Sequence, residues 1–386
     1  MRDATTIILL IDSGGTHGRT PATPASSDRS NPRPTLNNMA NTLRLLIPGL
    51  LGPRPFSPAD PEWPEPVTPA LAWLLARADS RAASLSPDAV LCELFGVPVA
   101  TADPPVAALT RLVDGGEIDE GGWWLRADPV HLRADMRTVF LMDARMLVIE
   151  PDEAQALVAA FNQTFAEDGL RLMAPSRNRW YLRLPADPGI KTCPLFDAIG
   201  RDINPLLPQG PAGRRWHILL TEVQMLFHRH PVNQAREARG RPLINSVWFW
   251  GGGACPLRAR SPAAGLYAND PLTRGLARLG GAAVSPKPEH AEDWKDAAAE
   301  PDSLVVLEAT RYDLVDGDVE SWTDHVAALE RDWFAPLRQW LRTGQISALD
   351  LYPGNGRSYA LTGAARWRFW RRSRPSSAYL VTSENN

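Results

Sequence analysis

Short apolar runs alternate with amphipathic stretches along most of the chain after Met39, and this alternation restricts the possible folds more than any other feature. The strand-like runs are Leu43 to Ile47, "INSVWFW" (244–250), "GLYAND" (265–270), "DSLVVLEAT" (302–310) and "ISALDLY" (346–352). Between them lie helix-like stretches: "TPALAWLLARADS" (68–80), "WHILLTEVQMLFHRH" (216–230), "PLTRGLARLGG" (271–281) and Val319 to Arg342. Neighbouring parallel strands need a crossover, and a helix is the usual one, so this order predicts an α/β core whose mostly parallel sheet is sandwiched by helices.

One stretch breaks the alternation. "GGWWLRADPVHLRADMRTVFLMD" (121–143) reads as short strands, "EPDEAQALVAAFNQTFAEDG" (150–169) as an amphipathic helix with acidic residues at its start, and "LRLMAPSRNRWYLRL" (170–184) as a hairpin. These predict an inserted α+β domain at 104–205, with the core divided between 39–103 and 206–386. Residues 12–38 are rich in Gly, Ser, Thr, Pro and Asn without apolar periodicity, so residues 1–38 are expected to be a disordered extension, and Met39 reads as a fresh start.

Composition narrows the function classes. A net charge of −3 gives no general pull toward nucleic acid or anionic lipid, so any basic site must be local. Three widely spaced cysteines, Cys92, Cys193 and Cys255, fit neither a disulfide framework nor a zinc site, which favours a reducing, cytoplasmic setting. No apolar run reaches the roughly 18 to 20 residues a membrane span needs, so no membrane partner is expected.

Ligands of parallel sheets sit beyond the carboxyl ends of the strands, which directs attention to the loops at 48–53, 251–256, 310–318 and 353–358. The second ends "HRHPVNQAREARGRPLINSVWFWGGG" (228–253). Its Gly251, Gly252 and Gly253 either bring backbone amides to an anion or form a tight turn beneath tryptophans; the sequence leaves both open. His228 and His230, two positions apart, face different sides of a helix with no further ligand nearby, so a capping or core role is expected ahead of a metal. "RWRFWRRSR" (366–374) places five arginines among three aromatics. That composition can stack bases and pair phosphates, but it also fits an amphipathic segment whose Trp367, Phe369 and Trp370 pack inward, and nucleic acid is not the expected partner.

The segment 230–253 resembles the stretch of archaeal-type cofactor-independent phosphoglycerate mutases that runs His-Pro-x-Asn, Arg, Gly-Lys-x-x-Ala-Asn and then a strand ending in Gly. "LRADMRTVFLMDARMLVIEPDEAQALVAAFNQ" (132–163) resembles their inserted domain, and "TPALAWLLARA" (68–78) their first core helix. The chain is more similar still to the bacterial RpfE-type regulatory proteins. Both resemblances imply an alkaline-phosphatase-like core carrying an insertion. They further imply that His230, Asn233, Arg236, Arg241 and Asn245 lie on the substrate side, where arginine forks and amides suit a phosphate or carboxylate.

The metal side does not match. "EATRYDLVDGD" (308–318) stands where the mutases carry Lys-Ala-Thr-Asp-Glu-Ala-Gly-His-Asp-Gly-Asp, so Arg311 replaces a metal-binding Asp and Val315 a His. "GNGRSY" (354–359) puts Asn355 and Gly356 at another ligand pair, and Pro48 stands at the Asp of the first strand. These residues cannot together hold two divalent ions, so no cofactor is expected. The implied reading is a catalytically inactive binding or regulatory protein. An active mutase or phosphatase and an arginine-mediated nucleic-acid or protein-binding module are the alternatives. Arg311, with Arg236 and Arg241 across a cleft, would bind a small phosphate or carboxylate without metal, or else Arg311 pairs with Asp313, Asp316 or Asp318; a protein partner also stays open.

Overall fold

The computed structural model describes residues 41–52, 65–99, 103–119, 121–135, 138–297 and 302–381. The expected disordered extension and the start at Met39 lie outside the described residues. From the amino-terminal side the elements are β1 (Thr42–Leu46), α1 (Pro69–Arg77), β2 (Asp79–Ala82), α2 (Pro87–Leu94) and α3 (Val106–Val113). Next come β3 (Trp123–Asp135), β4 (Thr138–Met142), α4 (Pro151–Thr164), β5 (Arg171–Met173), β6 (Tyr181–Leu184), α5 (Leu195–Ala198), α6 (Gly213–His228), α7 (Pro231–Ala238) and β7 (Ser246–Ala254). The chain continues through β8 (Gly265–Tyr267), α8 (Pro271–Leu279), α9 (Ala291–Ala297), β9 (Asp302–Val306), α10 (Ala309–Asp316), α11 (Val319–Leu329), α12 (Ala335–Thr343), β10 (Ala348–Tyr352) and β11 (Arg357–Thr362).

Six strands form the first sheet in the order β2-β11-β10-β1-β9-β8. β1 is central and parallel to both β9 and β10, β8 is parallel to β9, and β11 and β2 run antiparallel at one edge. Along β1 and the residue after it, Leu43, Leu45 and Ile47 join Leu71 and Leu74 of α1, Trp322 and Val326 of α11 and Leu337 and Leu341 of α12 in one core. Leu46, Leu304 and Val306 turn to the other face and meet Val90 of α2, Leu109 of α3 and Leu276 of α8. A sheet buried on both faces follows from strands that are nearly continuous apolar runs.

The expected long helix from 319 to 342 is broken by a π-helical turn over Glu330–Phe334. Pro336 has no amide hydrogen for the carbonyl four residues back, and its ring crowds that carbonyl, so the backbone widens there. The Glu330 carboxylate accepts from Ala70 N and Leu71 N at 2.5 and 3.0 Å, capping the start of α1.

The second sheet runs β4-β3-β6-β5, with β7 added against β3. The stretch 104–205 supplies its first four strands, and the hairpin expected at 170–184 forms as β5 and β6. β7 is a correction. Expected in the parallel sheet, it pairs antiparallel with β3 from Val130↔Ser246 to Trp123↔Ala254. A continuous apolar run identifies a strand buried on both faces without identifying its partner. Val247 and Phe249 pack with Trp216 and Val223 of α6, while Trp248 and Trp250 face Val106 and Leu109 of α3. The 251–256 loop is likewise corrected, because Gly251 to Ala254 are still in the strand, and most of 310–318 is helix α10.

Candidate functional site

The loops after β1, β9 and β10 meet backbone to backbone. Thr310 Oγ1 donates to Pro48 O at 2.8 Å, and the Trp322 indole donates to Gly49 O at 2.9 Å. Gly49 has φ +83°, and a Cβ there would lie 2.7 Å from Thr310 O and 2.9 Å from Arg311 Cα; one on Gly354 would lie 3.0 Å from Gly49 N. Only glycine permits so close an approach at these turns. The structure therefore brings Pro48, Arg311 and the Gly354-Asn355 turn to one end of the sheet.

Arg311 projects from the first turn of α10 into an acidic recess. Its guanidinium pairs with Asp88 of α2 at 3.4 Å and stacks 4.0 Å from the Phe196 ring centroid. Phe196 meets Tyr312 edge-on at 5.4 Å. Asp270, in the loop between β8 and α8, caps α8 by accepting from Thr273 N at 2.7 Å and is only 5% exposed. Glu308, at the start of α10, and Asp197 of α5 complete the surroundings that act electrostatically on Arg311. Burial alone would lower the guanidinium's pKa; Asp88, Asp197 and Glu308 more than offset this and hold it above the ordinary value. Burial and the neighbouring Asp270 push the Glu308 carboxyl up to about 8, against the pull of Arg311. Burial likewise raises Asp270. At neutral pH the recess is thus a guanidinium facing carboxyl groups, of which Glu308 largely keeps its proton.

The pairing expected with Asp313, Asp316 or Asp318 does not form. Asp313 accepts from or shares a proton with His325 Nδ1 at 2.7 Å, Asp316 pairs with Arg145 at 2.8 Å, and Asp318 caps α11 through Ser321 N at 2.9 Å. These three carboxylates already serve His325, Arg145 and the start of α11, and α2 supplies the partner instead.

The donor set does not fit divalent ions. Pro48 offers only a carbonyl that already accepts from Thr310, Arg311 brings a positive charge, and Val315 and Gly356 bring no side-chain donor. Asn355 donates from Nδ2 to Tyr359 Oη and Tyr379 O, both at 2.9 Å, and its buried Oδ1, a single neutral oxygen, has no hydrogen-bond partner among the described residues. Among the described residues, no three His, Cys, Asp or Glu side chains are placed to share a metal ion. The sequence reading missed Asp88, Asp197, Asp270 and Glu308. A signal for two was present: Asp270 and Glu308 each follow a short apolar strand, where ligand-facing residues of parallel sheets lie.

The expected substrate-side residues hold the second sheet's supports together. His230 caps α7, its Nδ1 accepting from Val232 N at 3.2 Å. Asn233 donates to Phe227 O and Ile244 O and accepts from Ile244 N, each at 2.8 Å, which ties the end of α6 to the entry of β7. Arg236 is fully buried: Nε donates to Pro242 O at 2.8 Å, one terminal nitrogen pairs with Glu153 at 2.6 Å, and the other donates to Leu147 O. Asn245 extends the ladder, accepting from Leu132 N at 2.7 Å and donating to Leu132 O at 2.9 Å. Arg241 is exposed, and its backbone N–H donates to Arg236 O at 2.9 Å. The three glycines are packing positions: an added Cβ on Gly251, Gly252 or Gly253 would lie 2.9, 2.8 and 2.5 Å from Val106, Leu125 and Pro105 respectively. Gly253 pairs with Trp124 of β3, while the register of the ladder shifts opposite Gly251 and Gly252.

No known protein-family model matches the chain. Over 167 residues it is 26% identical to a probable 2,3-bisphosphoglycerate-independent phosphoglycerate mutase of Geobacter sulfurreducens, a match spanning 41% of this chain and 39% of that relative. The chain thus matches well under half the length of that curated relative. The fold is similar to that of the PH0037 protein from Pyrococcus horikoshii, with a TM-score of 0.52 at 14% identity over 90% of this chain and 95% of the other. A cofactor-independent phosphoglycerate mutase from Thermoplasma acidophilum aligns over 90% and 97% of the two chains at 19% identity with a TM-score of 0.45. The expected α/β class, with a mostly parallel sheet covered by helices, holds, and a second, antiparallel sheet accompanies it.

Proposed function

We propose that this chain is a phosphoglycerate-mutase-like protein that has lost two-metal phosphoryl transfer and acts as a binding or regulatory protein, in the manner of the RpfE-type proteins it resembles. One observation carries the reading: Arg311 fills the end of the parallel sheet and is paired with Asp88 beside Glu308 and Asp270. A guanidinium there can neutralise carboxylates, but it cannot generate a nucleophile or bridge a transferring phosphoryl group as a bound dication can. A small phosphate or carboxylate fits this recess poorly, since Arg311 is outnumbered by carboxyl groups and Arg236 has no free nitrogen.

Mutase and phosphomonoesterase assays with added Mn²⁺ or Zn²⁺, paired with thermal melts with each metal and, separately, with 3-phosphoglycerate in EDTA, test this. The expected outcome is no turnover above buffer and no shift with either metal or with 3-phosphoglycerate. Metal-dependent turnover would overturn the inactive reading. A 3-phosphoglycerate shift in EDTA that disappears in Arg311→Ala would restore the anion site; a ligand at about 100 times its Kd stabilises by roughly 2.7 kcal/mol.

A further inference from the structure

The segment 366–374 is built opposite to the packing expected for it. Trp367, Phe369 and Trp370 are 63%, 79% and 66% exposed, while two of the arginines turn inward. Arg368 donates to Arg77 O at 2.6 Å and pairs with Asp79 at 2.6 Å; Arg371 donates to Ala78 O at 2.6 Å and pairs with Asp79 at 3.2 Å. Both therefore fasten the segment to the carboxyl end of α1, and the aromatics are presented outward by a pinned backbone. Arg366, Arg372 and Arg374 stay at the exposed rim. Arg366 lies 5.1 Å over the Trp367 ring and donates to Arg342 O at 3.3 Å. Among the described residues, neither Arg372 nor Arg374 is in an ion pair.

We propose that this tip docks the protein on an anionic lipid surface, with the three aromatic rings entering the headgroup region and the rim guanidiniums facing lipid phosphates and carboxylates. Tryptophan and arginine are the side chains that partition there, and several exposed large rings on one short segment are uncommon on a protein surface that contacts only water. The chain's net charge of −3 gives no general attraction to such a surface, so the attraction is local, from the three rim arginines. Single-stranded nucleic acid suits the tip less well. The Phe369 and Trp370 rings stand at 80° with centroids 5.4 Å apart, so they offer no pair of parallel platforms for successive bases, and the inward arginines are spent on Asp79 and backbone carbonyls. A second copy of the chain is also a poorer occupant. Three ring tips bury a few hundred Å² at most, against about 800 Å² per partner in a stable interface.

The full chain should co-sediment with vesicles containing about 30% phosphatidylserine, about tenfold more strongly than with phosphatidylcholine alone, and should lose this in roughly 0.5 M salt. Tryptophan emission should shift to the blue on binding. A double variant, Trp367→Ala with Trp370→Ala, should lose about tenfold in vesicle affinity, and Arg372→Gln with Arg374→Gln should lose several-fold. Both variants should melt with the parent chain, since the substituted side chains are exposed. Equal binding to neutral and anionic vesicles, or none to either, overturns the proposal. So does binding of a single-stranded oligonucleotide in preference to vesicles, or self-association that the aromatic variant abolishes.

Discussion

Arg236 and Arg311 both carry a guanidinium largely out of water, one under the second sheet and one at the end of the first, and they are satisfied in opposite ways. Arg236 meets two backbone carbonyls and the Glu153 carboxylate, each nitrogen with its own acceptor. Arg311 has a single 3.4 Å contact with Asp88 and stands among further carboxyl groups that oppose one another. A buried charge with a complete set of bonds is a clamp: it fixes geometry and offers nothing to a ligand. A buried charge with one long bond and surplus carboxylates marks a polar recess whose protonation adjusts to its contents. Both positions are arginines in a stretch that resembles an enzyme, and only the partners distinguish them.

The sharpest way to break the comparison is to remove the clamp. Arg236→Leu leaves the Glu153 carboxylate and the Leu147 and Pro242 carbonyls without their donor, and loss of one partner of a buried pair typically costs about 3 to 5 kcal/mol. Urea unfolding should show this as a lower midpoint with the slope retained. A cost under about 1 kcal/mol would mean that the segment is free to exchange its bonds for a ligand's, as a binding residue would.

A smaller effect is expected where the same segment ends. A Cβ on Gly253 would lie 2.5 Å from Pro105 Cβ and 3.0 Å from Pro105 Cα, next to a rigid ring that cannot rotate away. Gly253→Ala should therefore cost about 1 to 3 kcal/mol in stability, the range for overpacked cores. If the alanine were tolerated without loss, the tight contact between β7 and α3 would not be a constraint, and an anion-binding role for these glycines would regain its basis.

How much of this was legible depends on whether a feature is local. The apolar runs at 43–47, 265–270, 302–310 and 346–352 carry their own strand signal, and the helices between them force parallel pairing, so the parallel strands of the first sheet could be read; its antiparallel edge, β11 and β2, fell in stretches expected as loop and helix. The hairpin at 170–184 and the helix at 150–169, with Glu150 and Glu153 in a capping box, could be read for the same reason. The partner of β7 could not, because "INSVWFW" is apolar on both faces and says nothing about which sheet covers it. Nor could the direction of Trp367, Phe369 and Trp370, which depends on Asp79 and the α1 carbonyls being there to capture Arg368 and Arg371. At the candidate site, Arg311 stood out by its sequence position, but Asp88 and Asp197 reach it from elements 223 and 114 residues away in the chain (311 − 88 and 311 − 197), a distance no local pattern spans.

The recess itself is tested most gently through its proton. In the folded chain the Glu308 carboxyl is pushed up to about 8 from an ordinary 4.5, by burial first and by Asp270 next. Below pH 4.5 the side chain is protonated in folded and unfolded states alike, and its contribution is fully present. Between 4.5 and 8 the unfolded chain gives up a proton that the folded chain keeps, so stability falls as pH rises, and above 8 the contribution is lost. Solvent reaches part of Glu308, so a loss of about 1 to 2 kcal/mol is expected rather than the full value of the shift. Glu308→Gln keeps the size and the neutral form and removes the titration. Melts at pH 5 should place the variant and the parent chain close together, and melts at pH 8.5 should place the variant higher by roughly 2 to 6 °C. Parallel pH profiles for the two proteins would show that Glu308 is freely ionised beside Arg311. The recess would then be a satisfied ion pair of the Arg236 kind, and the contrast between the two arginines would disappear.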